Sequence, residues 1–322
     1  EKQMIQGLLR VSAFLAILLL VNGCAHQSTG SSAGGEQLLR LPYVSQLDQS
    51  QREYFVYLPK GYGDDPARTW PVILFLHGNG ERGNGLDELD YVLAHGPLYE
   101  AWIQKRDLPF IIISPQLHMF DMDKRAAYIA NRTRAQIPQR LEQGTVEREP
   151  LFPRQGPMTA GQEIQDMSEI PLTLPMGWDQ VEADLLAMLD KVESGFAVDK
   201  SRVYLTGLSY GGFGSWYMAS SHPQRFAAVA PVVGWGHPDL MPPIAEAGLP
   251  VWLFAAGRDT AVTKPHFYAG INALERLSKA EVRFTVHEDM AHDAWRRIYG
   301  GEDLYRWLLD QQKGVKGPQQ WR

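Results

Sequence analysis

The sequence predicts an α/β protein with a mostly parallel central sheet and helices on both of its faces. Two observations carry that expectation. Short continuous apolar runs recur along the chain, as strands buried on both faces require. Between them lie amphipathic segments whose apolar residues repeat every three or four positions. Composition agrees, because 322 residues with 44% hydrophobic and 21% charged side chains exclude intrinsic disorder and fibrous repeats.

The chain opens on a segment of export type. Lys2 and Arg10 bracket a mildly basic start, and residues 11–21 are almost uninterruptedly apolar. That run is shorter than the ~20 residues a membrane span needs. It ends in Leu20-Val21-Asn22-Gly23-Cys24, which resembles the lipobox of bacterial lipoproteins, and Cys24 is the chain's one cysteine. The resemblance implies a signal peptide over residues 1–24, acylation of Cys24 and a lipid anchor in the cell envelope. Ala25 in the next position implies the outer membrane. Residues 25–37, rich in Ser and Gly, are expected to be a flexible tether, and residues 38–322 the folded domain.

Within that domain, strand-like runs occupy residues 53–58, 71–76, 110–113, 203–206, 226–233, 251–256 and 282–286. The first is closed by the turn Pro59-Lys60-Gly61-Tyr62-Gly63. Helical patterns fall at 178–193, 213–220, 265–278 and 302–310. The first of them places Val181, Leu185, Met188, Leu189 and Val192 on one face. Residues 117–174, after the third strand-like run, are an insertion far longer than the usual ~5-residue connection. A short helix is expected there over residues 123–137. The insertion reads as a lid or substrate-binding segment over a site, or else as a surface excursion whose apolar residues pack on the body or a partly disordered loop.

Several function classes drop out early. A single cysteine forbids an internal disulfide and any cysteine-based metal cluster. A formal charge of −6 supplies no basic footprint for nucleic acid. No phosphate-loop pattern is present.

The chemistry gathers around Gly207-Leu208-Ser209-Tyr210-Gly211, which follows a buried run and opens a helical segment. That is the setting of a nucleophile elbow, a turn so sharp that flanking side chains would clash with neighbouring backbone. A serine hydroxyl needs a base, and the base needs an orienting acid. In this chain order the acid precedes the histidine. His292 lies in the loop beyond the last strand-like run, from which an imidazole reaches the elbow. His287, its main competitor, ends that run. Asp259 emerges at the carboxyl edge of residues 251–256, whereas Asp289 and Asp293 flank the histidine too closely in sequence. The backbone N–H groups of Asn79, in the glycine-rich loop after residues 71–76, and of Tyr210 are the expected oxyanion donors.

With these residues in view, the chain resembles the α/β-hydrolase superfamily. His77-Gly78-Asn79-Gly80-Glu81-Arg82-Gly83, Ser114-Pro115-Gln116, Gly207 to Gly212, and Gly257-Arg258-Asp259 with His292-Asp293-Ala294-Trp295 are similar to the branch containing feruloyl esterases and polyhydroxybutyrate depolymerase-like enzymes. The resemblance implies Ser209, Asp259 and His292 as the triad and Asn79 with Tyr210 as the oxyanion hole. The long insertion departs from the pattern. Trp235, Trp295 and Gln116 are candidate substrate contacts, while Trp216 reads as core. Glu81 and Arg82 read either as substrate contacts or as an ion pair that stabilises their loop.

The expectation is a serine hydrolase cleaving carboxylic esters, from small molecules or polymers, with no metal or organic cofactor. A peptidase or amidase would use the same triad, and a non-catalytic envelope binding protein on the same scaffold is the alternative of another class. Oligomeric state is not legible.

Overall fold

Eight strands form a single sheet in the computed structural model, which describes residues 34–148, 157–158 and 162–315. Strands β1 (Gln37–Val44) and β2 (Gln51–Leu58) form an antiparallel edge hairpin. Then follow β3 (Trp70–Leu76), β4 (Ile111–Ser114), β5 (Val198–Leu208), β6 (Ala228–Val232), β7 (Val251–Ala256) and β8 (Val282–His287). Their order in the sheet is β1-β2-β4-β3-β5-β6-β7-β8. β2 pairs antiparallel with β4, and every pair from β4 to β8 is parallel.

Two-residue alternation along the central strands builds a core on each side of the sheet. All of β3 is buried. Val72, Leu74 and Leu76 join one apolar cluster, with Leu185, Met188, Leu189 and Trp216. Ile73 and Phe75 join the other, with Leu89, Tyr299 and Trp307. The helices follow in chain order as α1 (Ala127–Ala130), α2 (Glu182–Gly195), α3 (Tyr210–Ser221), α4 (Met241–Glu246), α5 (Tyr268–Leu277), α6 (Trp295–Gly300) and α7 (Asp303–Leu309). Residues of α2, α3, α4 and α5 fill the first core, and residues of α6 and α7 the second. The α2 stripe stays in place through its first turn, where Asp184 accepts from Ser45 Oγ at 2.6 Å and from Gln46 N–H at 2.7 Å. Each fully buried leucine on that stripe contributes about 1.5–3 kcal/mol.

Four local expectations need correction. The helix expected over 123–137 is broken into α1 and two 3-10 turns, because Arg132 and Thr133 direct their polar groups into other contacts. Helix α2 begins only at Glu182, after a 3-10 turn over Trp178–Val181. The last residues of the expected tether join the body, since Gly34 O accepts from Gly61 N–H and Glu36 pairs with Arg140. Finally, β1, α4 and α6 have no counterpart in the sequence reading. Cys24 and the export segment lie outside the described residues. Among the described residues no helix is long and apolar enough to cross a membrane.

The strand order sets the location of the site. The chain passes from β3 to β4 on one side, then returns across β3 to place β5 on the other. Loops leaving the carboxyl ends of β3 and β5 therefore diverge and leave a crevice, the position where open α/β sheets bind ligands.

Candidate active site

Ser209 sits in that crevice, between the end of β5 and the start of α3, with φ 51° and ψ −118°. A non-glycine residue at positive φ is strained and persists only where its surroundings over-determine it. The surroundings here are backbone. Ser209 N–H donates to Val232 O at 2.9 Å. A side chain at Gly211 would drive into the carbonyl of Leu76, and one at Gly207 into the carbonyl of Gly211. The two flanking glycines are thus demanded by close backbone approach.

His292 Nε2 lies 3.0 Å from Ser209 Oγ, and His292 Nδ1 lies 2.7 Å from Asp259 Oδ2. Asp259 is completely buried just past β7, and its other oxygen accepts the N–H groups of Ala261 at 2.8 Å and Val262 at 2.9 Å. Because both oxygens are engaged, the carboxylate is fixed as an acceptor. Nδ1 then carries the proton, and Nε2 faces the serine with its lone pair. The histidine belongs to a 3-10 turn, His292–Ala294, that leads directly into α6.

Asn79 and Tyr210 are each the first residue of a helical turn, so their N–H groups have no acceptor within it. Neither donates to another group among the described residues. The Asn79 amide is aimed by the peptide before it. His77 Nδ1 is 2.6 Å from Gly78 O and His77 Nε2 is 2.9 Å from Leu117 N. A carbonyl only accepts and an amide only donates, so the ring is neutral with its proton on Nδ1. Burial agrees, pushing the imidazole down to about 3. With Gly78 C=O held toward His77, a trans peptide turns Asn79 N–H the opposite way.

The rest of the loop is held from several sides. Glu81 accepts from Gly78 N–H at 2.9 Å, and burial pushes its carboxyl up to about 7. Glu81 also lies 3.8 Å from His77 Nδ1 and 3.9 Å from His95 Nε2. Arg82 is buried and donates from Nε to Asn79 Oδ1 at 2.5 Å and from Nη1 to His118 O at 3.0 Å. The two side chains therefore act separately, and the expected ion pair between Glu81 and Arg82 is replaced by bonds to the loop. From the insertion, Arg132 donates to Gly80 O at 3.0 Å, to Arg82 O and to Glu88 at 2.9 Å, while Tyr128 OH accepts from Asn79 Nδ2 at 2.6 Å.

Beside the triad opens a cavity of about 480 Å³, whose wall includes Glu81, His95, Tyr99, Tyr128, Arg148 and Trp295. Trp295 stands edge-on to the His292 ring, centroids 5.2 Å apart, and 5.4 Å from the ring of His95. The two other candidate substrate contacts lie elsewhere. Gln116 is 2% exposed and its amide is spent on backbone, donating to Glu81 O and Glu88 O and accepting from Gly85 N–H. Trp235 packs against Phe213 and His266, away from this cavity wall. Trp216 is core, its indole N–H bonded to Gly234 O. Asp289 is held by Arg297 at 2.7 and 2.8 Å, which keeps its carboxyl down at about 2. Sequence reasoning missed His95, Tyr128 and Arg132; each meets the site through long-range contacts that no local motif announces. Among the described residues no group of three or more His, Cys, Asp or Glu side chains is arranged to hold a metal ion.

Residues 177–241, which contain the elbow, match the sequence profile of the prolyl oligopeptidase family. A 47-residue stretch is 45% identical to poly(3-hydroxyalkanoate) depolymerase C of Paucimonas lemoignei, covering 15% of this chain and 11% of that protein. Among solved structures, a thermostable esterase superposes with TM-score 0.57 at 22% identity, over 86% of this chain and 63% of its own. An S-formylglutathione hydrolase from Staphylococcus aureus superposes with TM-score 0.53 at 14% identity, over 87% of this chain and 98% of its own. The chain thus spans about a tenth of the depolymerase and under two thirds of the esterase. At these identities the structural likeness is one of fold, and that fold is the α/β-hydrolase fold.

Proposed function

We propose that the protein is a serine hydrolase of carboxylic esters. The observation that carries this is the chain of contacts from Ser209 Oγ through His292 to buried Asp259, at a serine held in strained backbone. Ser209 Oγ attacks the ester carbonyl as its proton passes to His292 Nε2, and Asp259 stabilises the imidazolium without taking the proton. The carbonyl oxygen becomes an alkoxide between the amides of Asn79 and Tyr210, each such donor contributing on the order of 3 kcal/mol in other hydrolases. Collapse of this intermediate breaks the bond to the alcohol oxygen, which receives the proton from His292. Water, deprotonated by the same imidazole, then releases the acid from Ser209.

The leaving group must lie near the imidazole that protonates it. The cavity flanked by Trp295 is therefore assigned to the alcohol part of the ester. A peptidase would use the same residues, and the prolyl oligopeptidase match over 177–241 favours keeping that reading as the second. Matched p-nitrophenyl esters and p-nitroanilides, assayed on the full chain in detergent, separate the two. Ester turnover that falls at least about 10⁴-fold in Ser209→Ala, with Tm unchanged, is the expected result. Anilide turnover that is lost in S209A would transfer the assignment to a peptidase, because an esterase leaves the poorer anilide leaving group in place, and full ester activity in S209A would remove the mechanism.

The export segment belongs to the same proposal. An apolar run over residues 11–21 ending at the chain's sole cysteine supports acylation of Cys24 and anchoring of this hydrolase in the cell envelope.

A further inference from the structure

Arg82 occupies an unusual electrostatic position. It is 0% exposed, among the largest fully buried side chains, and among the described residues no carboxylate pairs with it. Arg106, Arg132, Arg140 and Arg148, by contrast, each meet a glutamate. Burying a guanidinium without a counter-charge is costly, and burial lowers Arg82 to about 10, which still leaves it charged at neutral pH. Arg52 is also buried without a carboxylate, but its guanidinium is occupied by Tyr43 OH and the carbonyls of Gly83 and Gln116.

The surroundings of Arg82 differ in kind. Its Nε binds the side chain of Asn79, and its guanidinium carbon lies 4.7 Å from the centre of the Tyr210 ring. One buried cation thus touches the side chains of both residues whose backbone amides are assigned to the alkoxide. Among the described residues nothing negative stands opposite it.

We propose that Arg82 is a positioning residue of the oxyanion hole, fixing Asn79 and Tyr210 relative to each other, and that its unpaired charge is balanced when the alkoxide forms between their amides. This rests on the reading of Ser209 as the nucleophile. It accounts for a cation placed where a stable fold alone would favour an apolar side chain, because a preorganised charge contributes most where solvent cannot reorganise around the developing anion. Arg132 clamps the same loop through Gly80 O and Arg82 O while paired with Glu88, so it holds geometry without adding unbalanced charge.

The test uses the full chain in detergent, with an arylboronic acid as probe. Boron bonds to Ser209 Oγ, whose proton passes to His292, leaving a tetrahedral anion in place of the alkoxide. Arg82→Met is expected to lower kcat about 10- to 100-fold with KM within about 2-fold, and to weaken boronate inhibition by a similar factor. Arg82→Lys, which keeps the charge, is expected to recover boronate affinity to within about 5-fold of wild type.

An R82M variant that loses kcat without losing boronate affinity would make Arg82 a packing residue and overturn the proposal, as would an R82K variant as impaired as R82M. If R82M does not fold, Arg82→Gln, which keeps a hydrogen-bonding side chain and removes the charge, decides: a loss of boronate affinity of about 10-fold or more supports the proposal and an affinity within about 3-fold of wild type overturns it. A wild-type chain with neither ester turnover nor boronate binding overturns the nucleophile reading itself, which is distinguishable from an active wild type indifferent to Arg82.

Discussion

Glu81 is held where its ionisation is disfavoured. Burial raises its carboxyl to about 7, against the Gly78 N–H bond and Arg132, which favour the charged form. His77, His95 and His292 face it across the loop. An acid raised in the folded state stabilises the fold below its unfolded value near 4.5, and that contribution is lost as pH rises through 7. His77 has the opposite sign. Lowered to about 3, it contributes stability above its ordinary value of 6.5 that is lost as pH falls through 3. Between pH 4.5 and 6.5 the two groups oppose each other, so their effects separate only in a difference experiment. Glu81→Gln keeps an acceptor for Gly78 N–H and removes the titration. Relative to wild type, its Tm is expected to climb by a few degrees from pH 5 to 7.5, read by differential scanning fluorimetry. A constant Tm difference across that range would show that Glu81 titrates normally.

At the scale of elements, the strand–turn–helix of the elbow makes the most local demand on sequence. A side chain at Gly211 would overlap the Leu76 and His77 carbonyls, which are backbone and cannot rotate aside. Gly211→Ala is therefore expected to destabilise by about 2–4 kcal/mol in urea titration, whereas Gly195→Ala, which meets nothing within 4 Å, should be within about 1 kcal/mol of wild type. Equal effects would contradict the close packing of the elbow. This demand is also why the elbow was legible: glycines on both sides of Ser209, a buried strand-like run before it and a helical pattern after it follow from local sterics. The central parallel strands were legible for a similar reason, since burial on both faces selects mostly apolar residues. β1 was not, because an edge strand with mixed burial carries Arg40 and Pro42 and lacks that signature. Neither was the break-up of the helix expected over 123–137, which depends on Arg132 reaching Gly80 and Glu88 some 44 to 52 residues away.

At the scale of the whole molecule, the insertion is part of the site's foundation. Tyr128 and Arg132 bind the loop carrying Asn79, and Tyr128, Arg132, Gln136, Glu147 and Arg148 help wall the cavity next to Trp295. These contacts are not legible in the sequence, because mixed-sign charge in a long loop reveals nothing about its partners. The amino-terminal segment makes a separate prediction. Cys24→Ser should move the protein from the membrane to the soluble fraction on cell fractionation while leaving ester turnover intact. Retention of C24S in the membrane would contradict acylation at that residue. All of these expectations depend on one serine being activated by one histidine. The most direct measurement is mass-spectrometric mapping of the full chain after reaction with a fluorophosphonate, in wild type and in His292→Ala. A stoichiometric adduct on Ser209 that forms at least about 10³-fold more slowly in H292A is the predicted result. No adduct on folded wild-type protein, or an adduct on Ser209 formed at the same rate without His292, would contradict the account.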